Sequence, residues 1–176
     1  MVMPTLKIPV TTGDHIRGNI HAPYTLVEYG NYECSYCALA HPVVQQVQAY
    51  FGDQLRLVYR NFPLREAHPH AEIAAETAEF AAEYGKFWEM HDLILMDNEN
   101  LSKSWLLALS TQLELPITNL QEAWVEKRYQ AKIRADFQGG VISGVNGTPT
   151  FFIKGYRYNR PPTVDELIKA IELAYE

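Results

Sequence analysis

An α/β fold carrying an all-helical insertion is predicted by three features of the sequence. Residues 24–62 read strand, helix, strand; residues 63–145 carry a succession of amphipathic helical patterns; residues 146–176 return to strand chemistry before one last helix. The chain accordingly divides into a sheet-bearing core, residues 1–62 and 146–176, and a helical insertion, residues 63–145. Its 176 residues, 47% hydrophobic and 20% charged, suit an ordinary globular chain that needs no metal or disulfide staple to hold a core.

Taken in order, the run from Tyr24 to Tyr29 is β-branched and aromatic and stops at Gly30-Asn31, and Ala38 to Tyr50 then has helical composition. Leu55 to Phe62 has strand length after the Gly52-Asp53 break, so the two strands form a parallel pair around the helix. In the insertion, Ile73, Thr77, Phe80, Ala81 and Tyr84 mark one helical face, and Glu72, Glu76, Glu79 and Glu83 form an acidic stripe read as its solvated side. Phe87 to Leu95, then Trp105, Leu106 and Leu109, predict two more helices. Thr118-x-x-Gln121 predicts a capping box opening a fourth, and Ile133 to Ile142 gives a fifth, weakened by Gly139-Gly140. Thr150 to Ile153 and Tyr156 to Tyr158 flank Lys154-Gly155 as a hairpin, and Thr163-x-x-Glu166 caps the last helix.

The formal charge is -6, and no basic cluster is larger than Lys127-Arg128, which argues against nucleic acid as a partner. No window approaches the apolar length of a membrane span, and the first ten residues lack the pattern of a secretory leader, so a cytoplasmic protein without membrane insertion is expected, exported only if a leader has been removed.

Two cysteines are too few for a disulfide scaffold, and Cys34-Ser35-Tyr36-Cys37 has redox or metal-binding spacing. The pair falls where the first core strand passes into a helix, whose unpaired N–H groups favour the thiolate, the reactive form of cysteine. This placement predicts an accessible Cys34 and a shielded Cys37. A disulfide closing so short a loop adds little chain-entropy stabilisation. A zinc site needs more ligands than lie nearby, although Cys37 and His41 share a helix face and His68, His70 and His91 are further candidates; no metal is expected. Glu28 alternates with Leu26 in an apolar strand, so it is either a buried carboxyl of raised pKa or a residue facing water.

The order of elements, the C-x-x-C at the strand–helix junction and Thr148-Pro149 ahead of the third core strand together resemble the thioredoxin fold. The helical insertion resembles that of DsbA-like thiol-disulfide oxidoreductases, as do the strings Val27–Cys37, Asn61–Leu64, Gly85–His91 and Gly144–Phe152. The resemblance implies an attacking Cys34, a resolving Cys37, a cis Pro149 preceded by Thr148 beside a substrate-binding strand edge, and a buried proton-handling acid at Glu28. It implies a proline kink at Pro42, no cofactor, protein thiols or disulfides as substrates, and a redox recycling partner. Ser35-Tyr36 stands where strongly oxidising members place Pro-His, which implies a Cys34 pKa that is not very low and a moderate potential, and the reducing thiol pool of the expected cytoplasmic location implies net reduction or isomerisation. The competing expectation is a thioredoxin-fold binding module or redox sensor that does not turn over.

Overall fold

The computed structural model describes residues 3–176; Met1 and Val2, at the head of the segment read above for a leader, lie outside them. The elements run β1 (His15–Arg17), β2 (Tyr24–Gly30), α1 (Ser35–Phe51), β3 (Leu55–Asn61), α2 (Ala71–Glu83), α3 (Phe87–Met96), α4 (Lys103–Gln112), α5 (Ile117–Glu126), α6 (Gln130–Ile142), β4 (Thr150–Ile153), β5 (Tyr156–Tyr158) and α7 (Val164–Tyr175), with single 3-10 turns at Gly52–Gln54 and Asn98–Asn100. The strands form one sheet in the order β1-β3-β2-β4-β5. β2 and β3 are parallel, and every other pair is antiparallel. A parallel pair needs a crossover, which α1 supplies, whereas the β4–β5 hairpin turns on Lys154 and Gly155, both at positive φ (50° and 79°).

Alternation along the strands sorts the two faces of the sheet. Leu26, Leu57, Phe151 and Ile153 face α1 and α7, meeting Ala40, Val44, Leu167 and Ile171. Val27, Tyr29, Val58 and Phe152 face the other way, toward Phe62, Val145 and Phe137 of α6. A third core fills the helical block around Ala78, Phe80, Met90, Ile94, Leu106 and Leu120, and it takes in Tyr32, Cys34, Cys37 and Tyr59. The segment bearing the cysteines is thus packed against the helices of residues 71–142 as well as against the sheet.

Two expectations change, one strand is added and one predicted helix proves continuous. The short edge strand β1 carries too few residues to show a period, and it exists by pairing His15–Arg17 with Leu57–Tyr59. The acidic stripe of α2 is not wholly solvated: Glu76 and Glu79 are both buried, and at Glu79 β1 brings His15 Nε2 to 2.9 Å from Oε1 while Asn61 Nδ2 donates to the same oxygen at 2.9 Å. α5 starts one residue before Thr118 with Pro116 as its N-cap and has no side-chain cap, so the capping box does not form. α6 runs unbroken through Gly139-Gly140, because tertiary packing requires the small residue there.

A β-carbon on Gly140 would lie 2.7 Å from Phe62 Cδ2 and 3.0 Å from Tyr29 Cδ1, both in buried rings with little room to move. Gly140→Ala should therefore reverse the usual gain of about 1 kcal/mol for alanine over glycine in a helix and destabilise the protein by about 1–2 kcal/mol. Urea denaturation should show a lower midpoint at unchanged m-value; a higher midpoint would mean that the two rings can move aside.

Candidate active site

β2 ends at Gly30, and its C-terminal end delivers the chain to the start of α1 in four residues. Asn31 shapes this loop: its carbonyl accepts from Cys34 N–H at 3.1 Å, and its side-chain Oδ1 accepts from Glu33 N–H at 3.0 Å. Cys34 becomes the N-cap of α1 with an extended backbone, and Cys37 lies in the first turn, facing inward. A helix start offers unpaired N–H groups and the positive end of the dipole to whatever anion sits there. Gly30 is obligatory because the Tyr59 ring lies where a β-carbon would go. Pro42 occurs inside α1, and the helix continues past it to Phe51.

Both cysteines are free thiols. Cys34 is 5% exposed and Cys37 1%, so Cys34 is far less open than a helix terminus by itself implies. The difference comes from the loop ahead of β4, which lies across it: Cys34 Sγ is 3.4 Å from the carbonyl oxygen of Thr148, and the Thr148–Pro149 peptide bond is cis.

The two thiols are strongly polarised. A hydrogen bond from the Cys37 thiol, opposed by burial and assisted by the Thr148 side chain and the backbone N–H groups of Tyr36 and Cys37, pulls Cys34 down from 9.0 to about 5. The Thr148 hydroxyl is buried with no other partner, so its proton is available to the Cys34 thiolate. Cys37 moves the other way: burial first, then its bond to Cys34 and the charge of Glu28, push its thiol well up, although Asn31 N–H donates to its sulfur at 3.5 Å. The Ser35 and Tyr36 side chains take no part in this. Those side chains are exposed, and the anion is held by Cys37, Thr148 and the backbone.

Glu28 is buried, 3% exposed, on the α1 face of β2 between Tyr59 of β3 and Phe151 of β4. Burial pushes its carboxyl up to about 8. Its charge bears on Cys37, Tyr32 and Tyr59 alike, which places it beneath the redox pair.

Three anchors of the loop were not legible in the sequence. Asn98, buried in the 3-10 turn after α3, donates from Nδ2 to the carbonyls of both Tyr32 and Cys34 at 3.0 Å. His68 accepts from Asn31 Nδ2 at 2.8 Å, and Glu33 binds His70 through its backbone N–H at 2.6 Å and its Nδ1 at 3.1 Å. His68 and His70 therefore serve the loop and do not join His91 as ligands. Cys37 and His41 form no metal cluster either; among the described residues the one such group is His41, His91 and Asp92. Trp88 and Trp105 pack against the helical core, as does Trp124.

Tyr36 and Leu39, 70% and 69% exposed, line a cavity of about 310 Å³ with Ala40, Thr148, Pro149 and Pro162, directly beside Cys34. A larger cavity of about 600 Å³ lies between residues 63–67 and α6 and touches neither cysteine, so its size carries no weight in locating the chemistry.

A family model described as thioredoxin matches residues 10–173. The chain belongs to the thioredoxin family. Its fold is that of DsbA-like proteins: BdbD from Bacillus subtilis superimposes with a TM-score of 0.82 at 19% identity over 98% of this chain and 96% of that one. The α-DsbA1 of Wolbachia pipientis gives 0.83 at 19% identity over 97% and 94%. A thioredoxin-like oxidoreductase from Silicibacter pomeroyi gives 0.81 at 24% identity over 93% of each. Among curated sequences, a protein of Salinispora arenicola named Na(+)/H(+) antiporter NhaA 1 is 40% identical over 171 residues, 97% of this chain but 26% of that protein. The chain thus spans about a quarter of such relatives, and no described helix here is long and apolar enough to cross a membrane.

For this thioredoxin-family chain the polarised pair sets a pH profile. Alkylation of the reduced native protein should label Cys34 with a midpoint near pH 5 and leave Cys37 unlabelled at neutrality. Because the folded pKa lies below the ordinary 9.0, the thiolate's contribution to the stability of the reduced fold is fully present above pH 9 and is lost as pH falls through about 5. A labelling midpoint near 9, or labelling of Cys37 first, would contradict this arrangement.

Proposed function

We propose that the chain is a thiol-disulfide oxidoreductase acting on protein thiols and disulfides, with Cys34 as nucleophile and Cys37 as resolving thiol. The observation that carries this reading is the opposite displacement of the two thiols, one a thiolate at neutral pH and the other protonated. In the reducing direction, Cys34 thiolate attacks one sulfur of a substrate disulfide, forming a mixed disulfide and expelling the first substrate thiolate. Cys37 then loses its proton to Glu28, through the fraction of that carboxyl ionised at neutral pH, and attacks Cys34 Sγ. The second substrate thiolate leaves, and a Cys34–Cys37 disulfide remains. The substrate gains the two electrons that the protein loses, and a redox partner returns them. The reverse sequence oxidises a substrate dithiol. Neither direction calls for a cofactor.

Direction follows from which form is stabilised. A thiol held near 5 favours the dithiol form, which makes the disulfide form the better oxidant. This reading replaces the net reduction expected from a cytoplasmic location with dithiol oxidation. Thr148 and Pro149 beside Cys34, with the exposed Tyr36 and Leu39, offer apolar contact and a strand edge to an extended peptide.

A redox titration against glutathione should place the Cys34–Cys37 couple well above the roughly -270 mV of thioredoxin, toward the oxidising end near -120 mV. A couple at or below thioredoxin's would remove the proposed direction. Catalysed oxidation of a dithiol peptide separates the enzyme from a binding module or sensor, since either of the latter would exchange once and stop.

Glu28→Gln should leave Cys34 alkylation near normal and slow collapse of the mixed disulfide on the order of 10²-fold at pH 7. The same substitution should stabilise the protein at pH 7 and not at pH 4. The unfolded carboxyl ionises above 4.5 while the folded one stays protonated to about 8, so the wild type loses stability across that interval, on the order of 1.4 kcal/mol per pH unit at most. Wild-type collapse rates in stopped flow would rule out the proton-acceptor role even if the stability change appears.

A further inference from the structure

We propose that His41 of α1 with His91 and Asp92 of α3 form a binding site for a single divalent ion of the zinc class, separate from the redox pair. One ligand atom from each residue lies within 4.8 Å of the other two, and the His41 and His91 rings stand 5.4 Å apart at 71°. Two imidazoles and one carboxylate are a recurrent donor set for such ions, with remaining positions filled by water. Asp92, half-buried, leaves one side open to solvent for that purpose.

A close packing of three polar side chains is common, so the decisive observation is what two of them lack. His41 Nε2 and Asp92 Oδ1 are 3.2 Å apart but not aligned for hydrogen bonding, and both atoms are buried without a hydrogen-bond partner. His41 is 6% exposed. A buried donor or acceptor left without a hydrogen bond costs about 1–3 kcal/mol; the two atoms can pair with each other only while the His41 imidazole is protonated, whereas a shared cation would satisfy both with the imidazole neutral. The surrounding groups fit the role of outer partners. His91 Nδ1 is 2.9 Å from the Tyr32 hydroxyl, which fixes the ring and leaves Nε2 for the ion. Asp92 Oδ2 accepts from Arg17 at 2.7 Å, which orients the carboxylate and leaves Oδ1. Arg17 also places a positive charge beside the site, so the ion binds less tightly than it would to the bare donors. A bound ion would tie the active-site helix, one turn beyond Cys37, to α3 of the helical block.

The test uses the full chain with Cys34→Ser and Cys37→Ser, which removes the thiols as competing ligands. Titration with cobalt(II) should show one equivalent bound with visible d–d absorption, displaced by zinc, and zinc should raise the melting temperature with the logarithm of its free concentration once the site is saturated. Adding His41→Ala or Asp92→Asn should weaken cobalt binding by about tenfold or more, and Arg17→Gln should tighten it by removing the opposing charge. Should His41→Ala fail to fold, Asp92→Asn alone decides. Absence of stoichiometric binding, binding unchanged in Asp92→Asn, or loss of binding in His68→Ala or His70→Ala instead would overturn the site. None of these outcomes depends on whether the chain turns over disulfides.

Discussion

The hydrogen bond from the Cys37 thiol to Cys34 is the contact on which the rest of the site depends. It stabilises the anion only if Cys37 keeps its proton, and Cys37 keeps it because it lies on the buried face of α1, close to Glu28. Burial of one sulfur is therefore what makes the other reactive. The helix start, the Thr148 hydroxyl and two backbone N–H groups add to a polarity that the buried thiol has already set. Because these donors belong to the backbone or lie outside the C-x-x-C, exchanging the dipeptide between the cysteines removes less than its position suggests.

Holding this geometry requires structure from both halves of the chain. The loop at residues 31–34 is bonded by its own Asn31, whose carbonyl accepts from Cys34 N–H, and by the bond from Ala38 N–H to the Cys34 carbonyl, and its carbonyls also take donors from elsewhere in the chain. Asn98 satisfies two of them from the helical block, and His68 and His70 bind the loop from the segment that enters it. The helices of residues 71–142 are thus a wall of the redox site as well as a separate core. Their third core takes in Tyr32, Cys34 and Cys37, so movement of α3 relative to the sheet would be felt at the sulfurs.

Buried acids recur through the molecule, and each is treated differently. Glu79 is held in the ionised form by His15 and Asn61, and its carboxyl is pulled down despite burial. Glu76, beside Glu72, is pushed up to about 7 by burial and like charge. Glu28 has only burial acting on it, and it is the one placed beneath a thiol that must lose a proton. Partners, more than depth, decide which of these groups can exchange protons near neutrality.

Composition and local pattern by themselves determined the class of fold, the parallel strand pair around α1, the hairpin at Lys154-Gly155, most helices and the position of Cys34-x-x-Cys37 at a helix start. These follow from side-chain period, turn chemistry and helix-end electrostatics, all of which act within a few residues. Only the tertiary structure decided that Cys34 is covered by the Thr148 loop, that Glu28 lies inside the sheet, that Asn98 clamps the loop, and that α6 runs through Gly139-Gly140 because Phe62 and Tyr29 need the space. The same holds for the burial of Glu79 under an edge strand of three residues, and for the meeting of His41 with His91 and Asp92. In each case the energy lies in a contact between residues far apart in the chain, 114 positions for Cys34 and Thr148, or in the exclusion of water by them, and neither leaves a periodic trace in the chain.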